Sequence, residues 1–256
     1  MKLHNREKCD TIFYYDKSDT GAPLRRNTGE NMDTVLCAGM GYLIGTFNPS
    51  YLIGRIKGVD IRRHGSGNAG ATNATLIMGK AIGLLCALLD IFKAYTAYKL
   101  ARALFPLLTF AGALAGCACI VGHIFPVWMG FAGGKGLACI GGVILAHNWK
   151  LFLALLLAEI LLTLLVGYIC VMALSVSVIF PVIYGVTTRD LTGALILSAL
   201  IPVVYYKHMP NIRRIIEGRE ARISWLWNAE KEEARLQKLY TDDEWNEIYK
   251  KTYEKK

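Results

Sequence analysis

The feature that most constrains this chain is a long stretch with almost no charge. Between Gly136 and Tyr206, 71 positions contain only four charged side chains, which are Lys150, Glu159, Arg189 and Asp190. A membrane helix needs about 20 apolar residues, and in lipid only helices or closed barrels satisfy every backbone polar group. The stretch is therefore long enough for several membrane helices, and it is too apolar for a soluble domain.

The apolar residues fall into seven runs, each bounded by glycine, proline, a charge or a turn-forming cluster. The runs cover about 35–53, 81–101, 103–125, 137–149, 151–167, 168–186 and 191–206. We predict an all-α integral membrane protein with about seven transmembrane helices. The 137–149 run is short enough for a re-entrant helix, and 151–186 can be divided in more than one way, so the count is open by one.

Charge divides the chain into three parts. Residues 1–34 carry six basic and six acidic side chains, residues 35–209 carry twelve and four, and residues 210–256 carry eleven and ten. We interpret these parts as a polar N-terminal extension, a transmembrane domain and a charged helical tail. The excess cations lie between apolar runs, whereas a nucleic-acid partner requires them on a soluble face. We therefore expect no nucleic acid to bind, and the polar first part lacks the apolar centre of a signal peptide.

Three polar, glycine-rich segments follow the first, third and seventh apolar runs, at 54–80, 126–136 and 207–220. With seven spans, these segments all reach the same membrane face. Nine Lys or Arg side chains lie there, against four on the opposite face, so the positive-inside rule places the segments in the cytoplasm. We predict a multi-pass protein of the cell membrane, with its N-terminus outside and its C-terminus cytoplasmic.

The seven cysteines indicate neither disulfides nor a metal site. Their number is odd, six lie in or beside apolar runs, and no pair has the spacing of a zinc site. We expect them to be small packing residues.

The first polar segment combines glycines with small polar side chains. Within 60–73 these are Gly65, Gly67 and Gly70, with Ser66, Asn68, Thr72 and Asn73. The glycines match a dinucleotide-binding pattern, but that pattern needs a βαβ unit, which two membrane helices do not provide. Glycines also let backbone N–H groups converge on an anion, helped by a helix N-terminus and by cations such as Arg62 and Arg63. The composition of this segment is consistent with an anion-binding site and also with a flexible tight turn.

The second segment, 122–136, ends in Gly133, Gly134, Lys135 and Gly136. It is not a Walker A loop, because glycine follows the lysine where that loop has Ser or Thr. A lysine in a glycine-rich turn still offers a point charge and N–H groups to a phosphate. His123, at the end of a span, fits either a packing residue or a catalytic one.

The third segment, 205–220, places His208 three residues before Asn211, followed by Arg213 and Arg214. By itself, it fits a basic stop at the end of a membrane helix as well as it fits a functional site.

Taken together, the three segments resemble the signature motifs of the bacterial acyl-phosphate:glycerol-3-phosphate acyltransferases, the PlsY family. The family motifs are GSGNxGATN, GHxFPxxxxFxGGKG and HxxNIxRxxxGxE. This chain shows them at Gly65–Asn73, Gly122–Gly136 and His208–Glu220. The pair Asp90 and Lys93 also looks like that family, and the resemblance covers about residues 40–220.

The resemblance implies transfer of a fatty acyl group from acyl phosphate to the 1-hydroxyl of glycerol 3-phosphate, forming lysophosphatidic acid and phosphate for phospholipid biosynthesis. It implies no metal and no other cofactor; the partners are the two substrates and membrane lipid. By position, the catalytic residues would be Ser66, Lys135, His208 and Asn211. The substrate-binding residues would be Gly65, Gly67, Asn68, Gly70, Thr72, Asn73, Gly133, Gly134 and Gly136. Glu220 matches a structural glutamate of the family.

One position departs from the family pattern. The family usually has an arginine three residues after the last asparagine of the first motif, where this chain has Leu76. An apolar side chain cannot replace a forked phosphate donor. Lys80 lies four residues further on, so we expect it on the same helical face as Leu76, as a compensating cation. Otherwise acceptor affinity is low, the acceptor differs, or the chain is a scaffold that has lost catalysis.

A transporter of phosphorylated anions is the alternative from another class. It would also use glycine-broken helices and cations near the membrane, but at the midplane and in paired halves. The three segments lie at one predicted face and no halves repeat, so we favour the acyltransferase.

Two features lie outside the resemblance. Glu159 is in the middle of a span, where an ionisable group is a functional candidate by default; a paired packing side chain fits as well.

In the tail, Thr241 and Glu244 form a capping box before a helix that is either partner-binding or simply solvated. One side of that helix carries Trp245, Ile248, Tyr249 and Thr252.

Overall fold

The structure, a computed structural model, describes residues 28–253, with the side chains of residues 30–247. Within that range all regular structure is helical, as predicted. The α-helices there are α1 Thr28–Thr46, α2 Pro49–Ile56, α3 Ala71–Met78, α4 Lys80–Leu104, α5 Ala111–Ile124, α6 Leu137–His147, α7 Trp149–Val166, α8 Cys170–Thr188, α9 Leu191–Ser198, α10 Leu200–Ile216, α11 Ala229–Gln237 and α12 Asp242–Tyr253. Short 3₁₀ turns lie at Ile61–Arg63, Val127–Met129 and Ile223–Leu226. Of the predicted extension 1–34, residues 1–27 fall outside the described range.

Five segments in the described part of the chain are long and apolar enough to cross a bilayer. They are Lys80–Leu104, Ala111–Met129, Trp149–Val166, Cys170–Thr188 and Leu191–Ile216. The predicted 137–149 span is α6, whose 11 residues are fewer than the about 20 of a typical membrane helix. The predicted 35–53 span is divided between α1 and α2, because Asn48 caps a new helix that begins at Pro49. The count of seven spans therefore stays a prediction.

Helices α1 and α5 run parallel in close contact. Gly41 and Gly45 of α1 face Ala115 and Cys119 of α5, and a Cβ on either glycine would lie 2.7 Å from the Cα atom opposite. Small residues four positions apart let two helix backbones touch, which is a main source of helix association in lipid. Because the later glycine of α1 faces the later residue of α5, the two helices run in the same direction and end at the same face. The first and second polar segments follow these ends.

A break at Gly79 separates α3 from α4. Gly79 has φ +95°, where glycine lacks the steric penalty of other residues, and α3 ends at Met78 while α4 begins at Lys80. The prediction that Leu76 and Lys80 share a helical face is therefore wrong, because they belong to different helices. Lys80 Nζ instead donates to the carbonyl of Leu226 in the tail, at 2.8 Å.

Glu159 is paired inside the bundle. It is 5% exposed and accepts a 2.6 Å hydrogen bond from the Ser175 hydroxyl of α8. This contact favours the packing interpretation of Glu159 over a role in chemistry.

The six cysteines in the described range are unpaired, and five of them are buried. They occupy helix contacts where a small side chain fits, as Cys119 does opposite Gly45. Cys9 lies outside the described residues.

The tail folds back on the bundle. The Ile223 N–H donates to the Gly167 carbonyl in the turn between α7 and α8, at 2.7 Å. The predicted capping box is present: the Thr241 N–H donates to Glu244 Oε2 (2.9 Å), and the Glu244 N–H donates to Thr241 Oγ1 (3.3 Å). Of the predicted face of α12, the side chains of Ile248, Tyr249 and Thr252 lie outside the described range.

Candidate active site

Asn73 holds the first segment in shape. Its side chain is 2% exposed. Its Oδ1 accepts from the Ser66 N–H (3.0 Å), and its Nδ2 donates to the carbonyls of Ile61 and His64 (3.0 Å each). These bonds cross the loop and use both N–H donors of the amide, so they set the path of the backbone before any ligand binds.

Asn48 supports the same loop from outside it. Its Nδ2 donates to the Ala69 carbonyl (2.9 Å), and its Oδ1 accepts from the Tyr51 N–H (2.8 Å). Asn48 lies outside the three motifs and is not among the predicted site residues. A signal existed, since an asparagine directly before Pro49 is a typical N-cap followed by proline at the first helical position.

Gly65 and Gly67 are required by the backbone of the first segment. Their φ angles are +55° and +70°, in the left-handed region that favours glycine. A Cβ on Gly65 would also collide with Oδ1 of Asn73, and it would lie 3.1 Å from Cδ2 of Leu76. Leu76 is therefore beside the glycine loop, at the place where the family pattern has arginine.

The remaining polar groups of the first segment surround the start of α3. This helix begins directly after Gly70, so its first N–H groups, including that of Thr72, have no partner within the helix. The side chains of Ser66 and Thr72 are exposed, and Asn68 is half-buried. Backbone N–H groups and hydroxyls of this kind are suitable donors for an anion.

Arg62 joins the first segment to the second. Its guanidinium donates to both carboxylate oxygens of Asp60 (3.0 and 2.8 Å) and to the Met129 carbonyl (2.9 Å). The hydrogen bonds from Arg62 lower the pKa of Asp60 to about 2. Arg62 therefore acts as a link between loops, while Arg63 remains exposed.

The second segment folds back on the end of α5. The N–H groups of Gly133 and Gly134 donate to the carbonyls of Ile124 (3.1 Å) and His123 (3.0 Å). A Cβ on Gly133 would lie 2.6 Å from Pro126 Cδ, so glycine is needed for this close return. These two N–H groups are thus used inside the loop, and Gly136, at φ +90°, starts α6.

His123 lies buried under that loop. It is 3% exposed, and a Cβ on Gly134 would lie 2.7 Å from its Cε1. Its Nδ1 lies 3.2 Å from Asp90 Oδ1 and 2.9 Å from Lys93 Nζ, which itself lies 2.7 Å from Asp90. Cys139 completes a group with metal-ligand types, but the Lys93 ammonium already supplies the positive charge next to Asp90 and His123.

Lys135 and Asn211 bring the second and third segments together. Lys135 Nζ donates to Asn211 Oδ1, and Asn211 Nδ2 donates to Glu220 Oε1 (2.5 Å). Glu220 also accepts from Arg214 Nε at 2.6 Å. Two of the four predicted catalytic residues therefore touch each other, although 76 positions separate them in the chain. Glu220 holds Asn211 in this contact.

The environment of Lys135 makes its proton easier to lose. Burial, and secondarily the positive charge of Arg214, lower its pKa to about 8, while Glu220 opposes the shift. At neutral pH the ammonium is still mostly protonated and able to hold a phosphate.

His208 is buried in α10, where its Nδ1 lies 2.8 Å from the Val204 carbonyl. A carbonyl oxygen only accepts, so Nδ1 carries the proton and Nε2 is left for another partner. His208 is one turn before Asn211 on the same helix.

The predicted site residues thus form two groups. Lys135 and Asn211 are in direct contact, with His208 one turn away, whereas Ser66 lies in a separate loop that Arg62 ties to the second segment. Within the described part of the chain no hydrogen bond joins Ser66 to Lys135. Lys80 is bound to the tail and not to either group.

Comparisons with known proteins agree on one family. The profile described as Glycerol-3-phosphate acyltransferase matches residues 35–218. A glycerol-3-phosphate acyltransferase of Bacillus velezensis is 35% identical over 192 residues, covering 73% of this chain and 96% of that protein. The corresponding protein of Aquifex aeolicus is 34% identical over 184 residues, covering 71% of this chain and 94% of that protein.

Solved structures are similar as well. The crystal structure of PlsY, described as an integral membrane glycerol 3-phosphate acyltransferase in its glycerol 3-phosphate form, aligns with a TM-score of 0.67 at 32% identity, covering 75% of this chain and 96% of that chain. Its lysophosphatidic acid form aligns with a TM-score of 0.64 at 31% identity, covering 74% and 94%.

Proposed function

Because the chain belongs to the glycerol-3-phosphate acyltransferase family, we propose that it transfers a fatty acyl group from acyl phosphate to the 1-hydroxyl of glycerol 3-phosphate. The products are lysophosphatidic acid and inorganic phosphate. The observation that carries this proposal is the contact between Lys135 and Asn211, which unites a cation from one glycine-rich segment with a polar side chain from another. A site for two phosphorylated substrates needs such a junction.

The reaction needs positioning more than acid or base groups. The hydroxyl oxygen of glycerol 3-phosphate attacks the acyl carbonyl carbon, a new ester C–O bond forms, and the C–O bond to phosphate breaks. The hydroxyl proton passes to a substrate phosphate. Acyl phosphate is already an activated donor, so holding the two substrates in attack geometry supplies much of the acceleration. The ammonium of Lys135 stabilises charge that develops on the leaving phosphate.

The other residues divide by substrate. His208 and Asn211 orient glycerol 3-phosphate, with His208 acting through Nε2. In the first segment Ser66, Asn68, Thr72, the glycines and the start of α3 bind phosphate, while Asn73 holds the loop. The substrate-binding residues of this loop are completed by Gly65, Gly67 and Gly70. Gly133, Gly134 and Gly136 shape the turn that presents Lys135 to the donor.

We also propose the membrane arrangement. The transmembrane domain covers 35–209, with α1 and the short α6 counted among seven crossings. The three segments lie on the cytoplasmic side of the cell membrane, the N-terminus lies outside, and the tail 210–256 is cytoplasmic. The parallel ends of α1 and α5 and the contact between Lys135 and Asn211 support a common face for the three segments.

A direct assay tests the proposed activity. The purified protein in detergent is incubated with palmitoyl phosphate and radiolabelled glycerol 3-phosphate, and labelled lysophosphatidate is measured. We expect product from the wild type and none from Lys135→Ala or His208→Ala, although both variants insert into membranes as the wild type does. An anion transporter or an inactive scaffold would yield no product from any of the three proteins. Wild-type turnover in either variant would overturn the assigned site.

Leu76 favours a second possibility for the acceptor. An apolar side chain beside Gly65 offers no charge to the phosphate of glycerol 3-phosphate. A weak acceptor affinity or a different phosphorylated acceptor would follow. The same assay, run with increasing glycerol 3-phosphate, separates these cases, because weak affinity gives saturation at high concentration and a different acceptor gives no product at any concentration.

A further inference from the structure

The tail contains an arginine that the proposed reaction does not use. Arg235 of α11 donates through Nη1 to the Gly218 carbonyl (2.9 Å) and through Nη2 to the Glu220 carbonyl (2.8 Å). Its Nε and Nη2 also donate to Glu232 Oε1 (3.0 and 2.6 Å). We call Arg235, Glu232 and the two carbonyls the clasp. The family match ends at residue 218, so both charged members lie beyond it.

We propose that the clasp positions the third segment for catalysis, an inference that rests on the proposed function of that segment. We assign Arg235 as a positioning residue, because it acts through the carbonyls of Gly218 and Glu220 that it binds.

Glu232 makes the clasp rigid. It is 4% exposed, and its carboxylate also accepts from the Arg222 N–H (2.9 Å) and the Ser224 hydroxyl (3.4 Å). The carboxylate is therefore held by the chain on one side and by Arg235 on the other. A guanidinium presents its donors in one plane, so it fixes two backbone carbonyls at the same time.

The two carbonyls belong to a turn that needs such support. Gly218, at φ +71°, reverses the chain after α10, and the N–H groups of Arg219 and Glu220 donate to the Arg214 carbonyl (2.7 and 3.0 Å). Glycine has more conformational freedom than other residues. Arg235 binds on both sides of Arg219, and this limits the freedom of the turn.

The turn determines where the Glu220 carboxylate lies. That carboxylate accepts from Asn211 and Arg214, and Asn211 accepts from Lys135. Arg235 thus binds the main-chain carbonyl of Glu220, and the side chain of the same residue connects through Asn211 to the ammonium that we assign to phosphate. Displacing a positioned group by about 1 Å can reduce a rate on the order of 100-fold, so freeing the turn should reduce turnover.

The test combines kinetics with hydrogen exchange on the full-length protein in detergent. The variants are Arg235→Ala, Arg235→Lys and Glu232→Gln, with Lys238→Ala as the control, because Lys238 is exposed at the end of the same helix. Constants are expressed per folded molecule, measured by size-exclusion chromatography and thermal unfolding. We expect Arg235→Ala to lower kcat/KM for glycerol 3-phosphate about tenfold, with smaller losses in Arg235→Lys and Glu232→Gln and none in Lys238→Ala.

A double-mutant cycle separates positioning from a general loss of structure. In the Glu220→Gln background, Arg235→Ala should lower kcat/KM less than about twofold, because residues that act through one another are not additive. Independent, multiplicative losses would overturn the proposal, and so would unchanged constants in Arg235→Ala.

Hydrogen exchange measures the clasp without using activity. The Arg219 and Glu220 amides should exchange faster in Arg235→Ala than in the wild type, and unchanged exchange would refute the clasp itself. If the wild type makes no lysophosphatidate, the proposed function fails, while the exchange result still decides whether the clasp exists. Faster exchange with normal kinetics would show that the clasp has no effect on catalysis.

Discussion

The pH dependence of the reaction should report the ionisation of Lys135. Burial and the nearby Arg214 lower its pKa to about 8, so the ammonium is present below that pH and is lost above it. From pH 7 to pH 9, the protonated fraction falls about tenfold, whereas a lysine with an ordinary pKa would remain protonated. Because kcat/KM reports the free enzyme, it should fall about tenfold over this range.

The fall in kcat should occur at a higher pH than the fall in kcat/KM. A bound phosphate next to the ammonium favours its charged form and raises the pKa in the complex. The second ionisation of a phosphate, near pH 6, is complete before this range, and Asp60, with a pKa of about 2, does not titrate in it. We assign the fall in rate to Lys135, and the Lys135→Arg variant tests that assignment.

Initial rates of lysophosphatidate formation between pH 6 and pH 10 measure the pH dependence of both kcat/KM and kcat. The matched variant is Lys135→Arg, whose guanidinium stays protonated throughout. It should be slower than the wild type, since its shape differs, and its kcat/KM should not fall between pH 7 and pH 9. A wild-type kcat/KM that is flat to pH 9, or the same fall in Lys135→Arg, would refute the assignment. Activity recovered after return to pH 7 controls for unfolding.

Three further predictions concern particular side chains. Leu76→Arg should raise kcat/KM for glycerol 3-phosphate about tenfold, since hydrogen bonds to charged groups contribute about 1.5–3 kcal/mol; a loss would indicate that the loop has no room for arginine. Gly65→Ala should lower the unfolding midpoint and the activity, because the new Cβ would meet the buried amide of Asn73. The control is Gly58→Ala, at φ +76° with open space around it, which should carry only a backbone penalty of about 1 kcal/mol. Equal effects of the two changes would show that contact with the amide is not the cause. Glu159→Gln should leave kcat and the unfolding midpoint nearly unchanged because the amide still accepts from Ser175, and a large fall in kcat would restore a functional role for that side chain.

Much of the candidate site could be predicted from local sequence. Gly65 and Gly67 are visible as glycines where the backbone needs positive φ, and Lys135 is visible as the cation of a glycine-rich turn. These features depend on a few neighbouring residues, so a short pattern records them. The break at Gly79 could not be predicted in the same way, because an isolated glycine is tolerated inside many helices, and the proposed pairing of Leu76 with Lys80 failed there.

The partners of the polar side chains were the part that sequence did not reveal. Asn73 is predicted to bind phosphate, but both N–H donors of its amide are engaged by its own loop. Arg62 was placed among the available cations, yet it holds Asp60 and Met129. In each case the side chain type was consistent with either use, and only the distances to neighbouring acceptors distinguish them.

The amino-acid sequence by itself determined that this chain is helical and lies in a membrane, because lipid leaves an apolar chain few other ways to satisfy its backbone. It also predicted, through their order and spacing, which glycine-rich segments form the candidate site. The tertiary structure alone decided that Lys135 contacts Asn211, that the Lys80 ammonium binds the tail, and that Arg235 binds the carbonyls of Gly218 and Glu220. Those contacts join residues far apart in the chain, and their existence depends on how the helices pack, which no local pattern encodes.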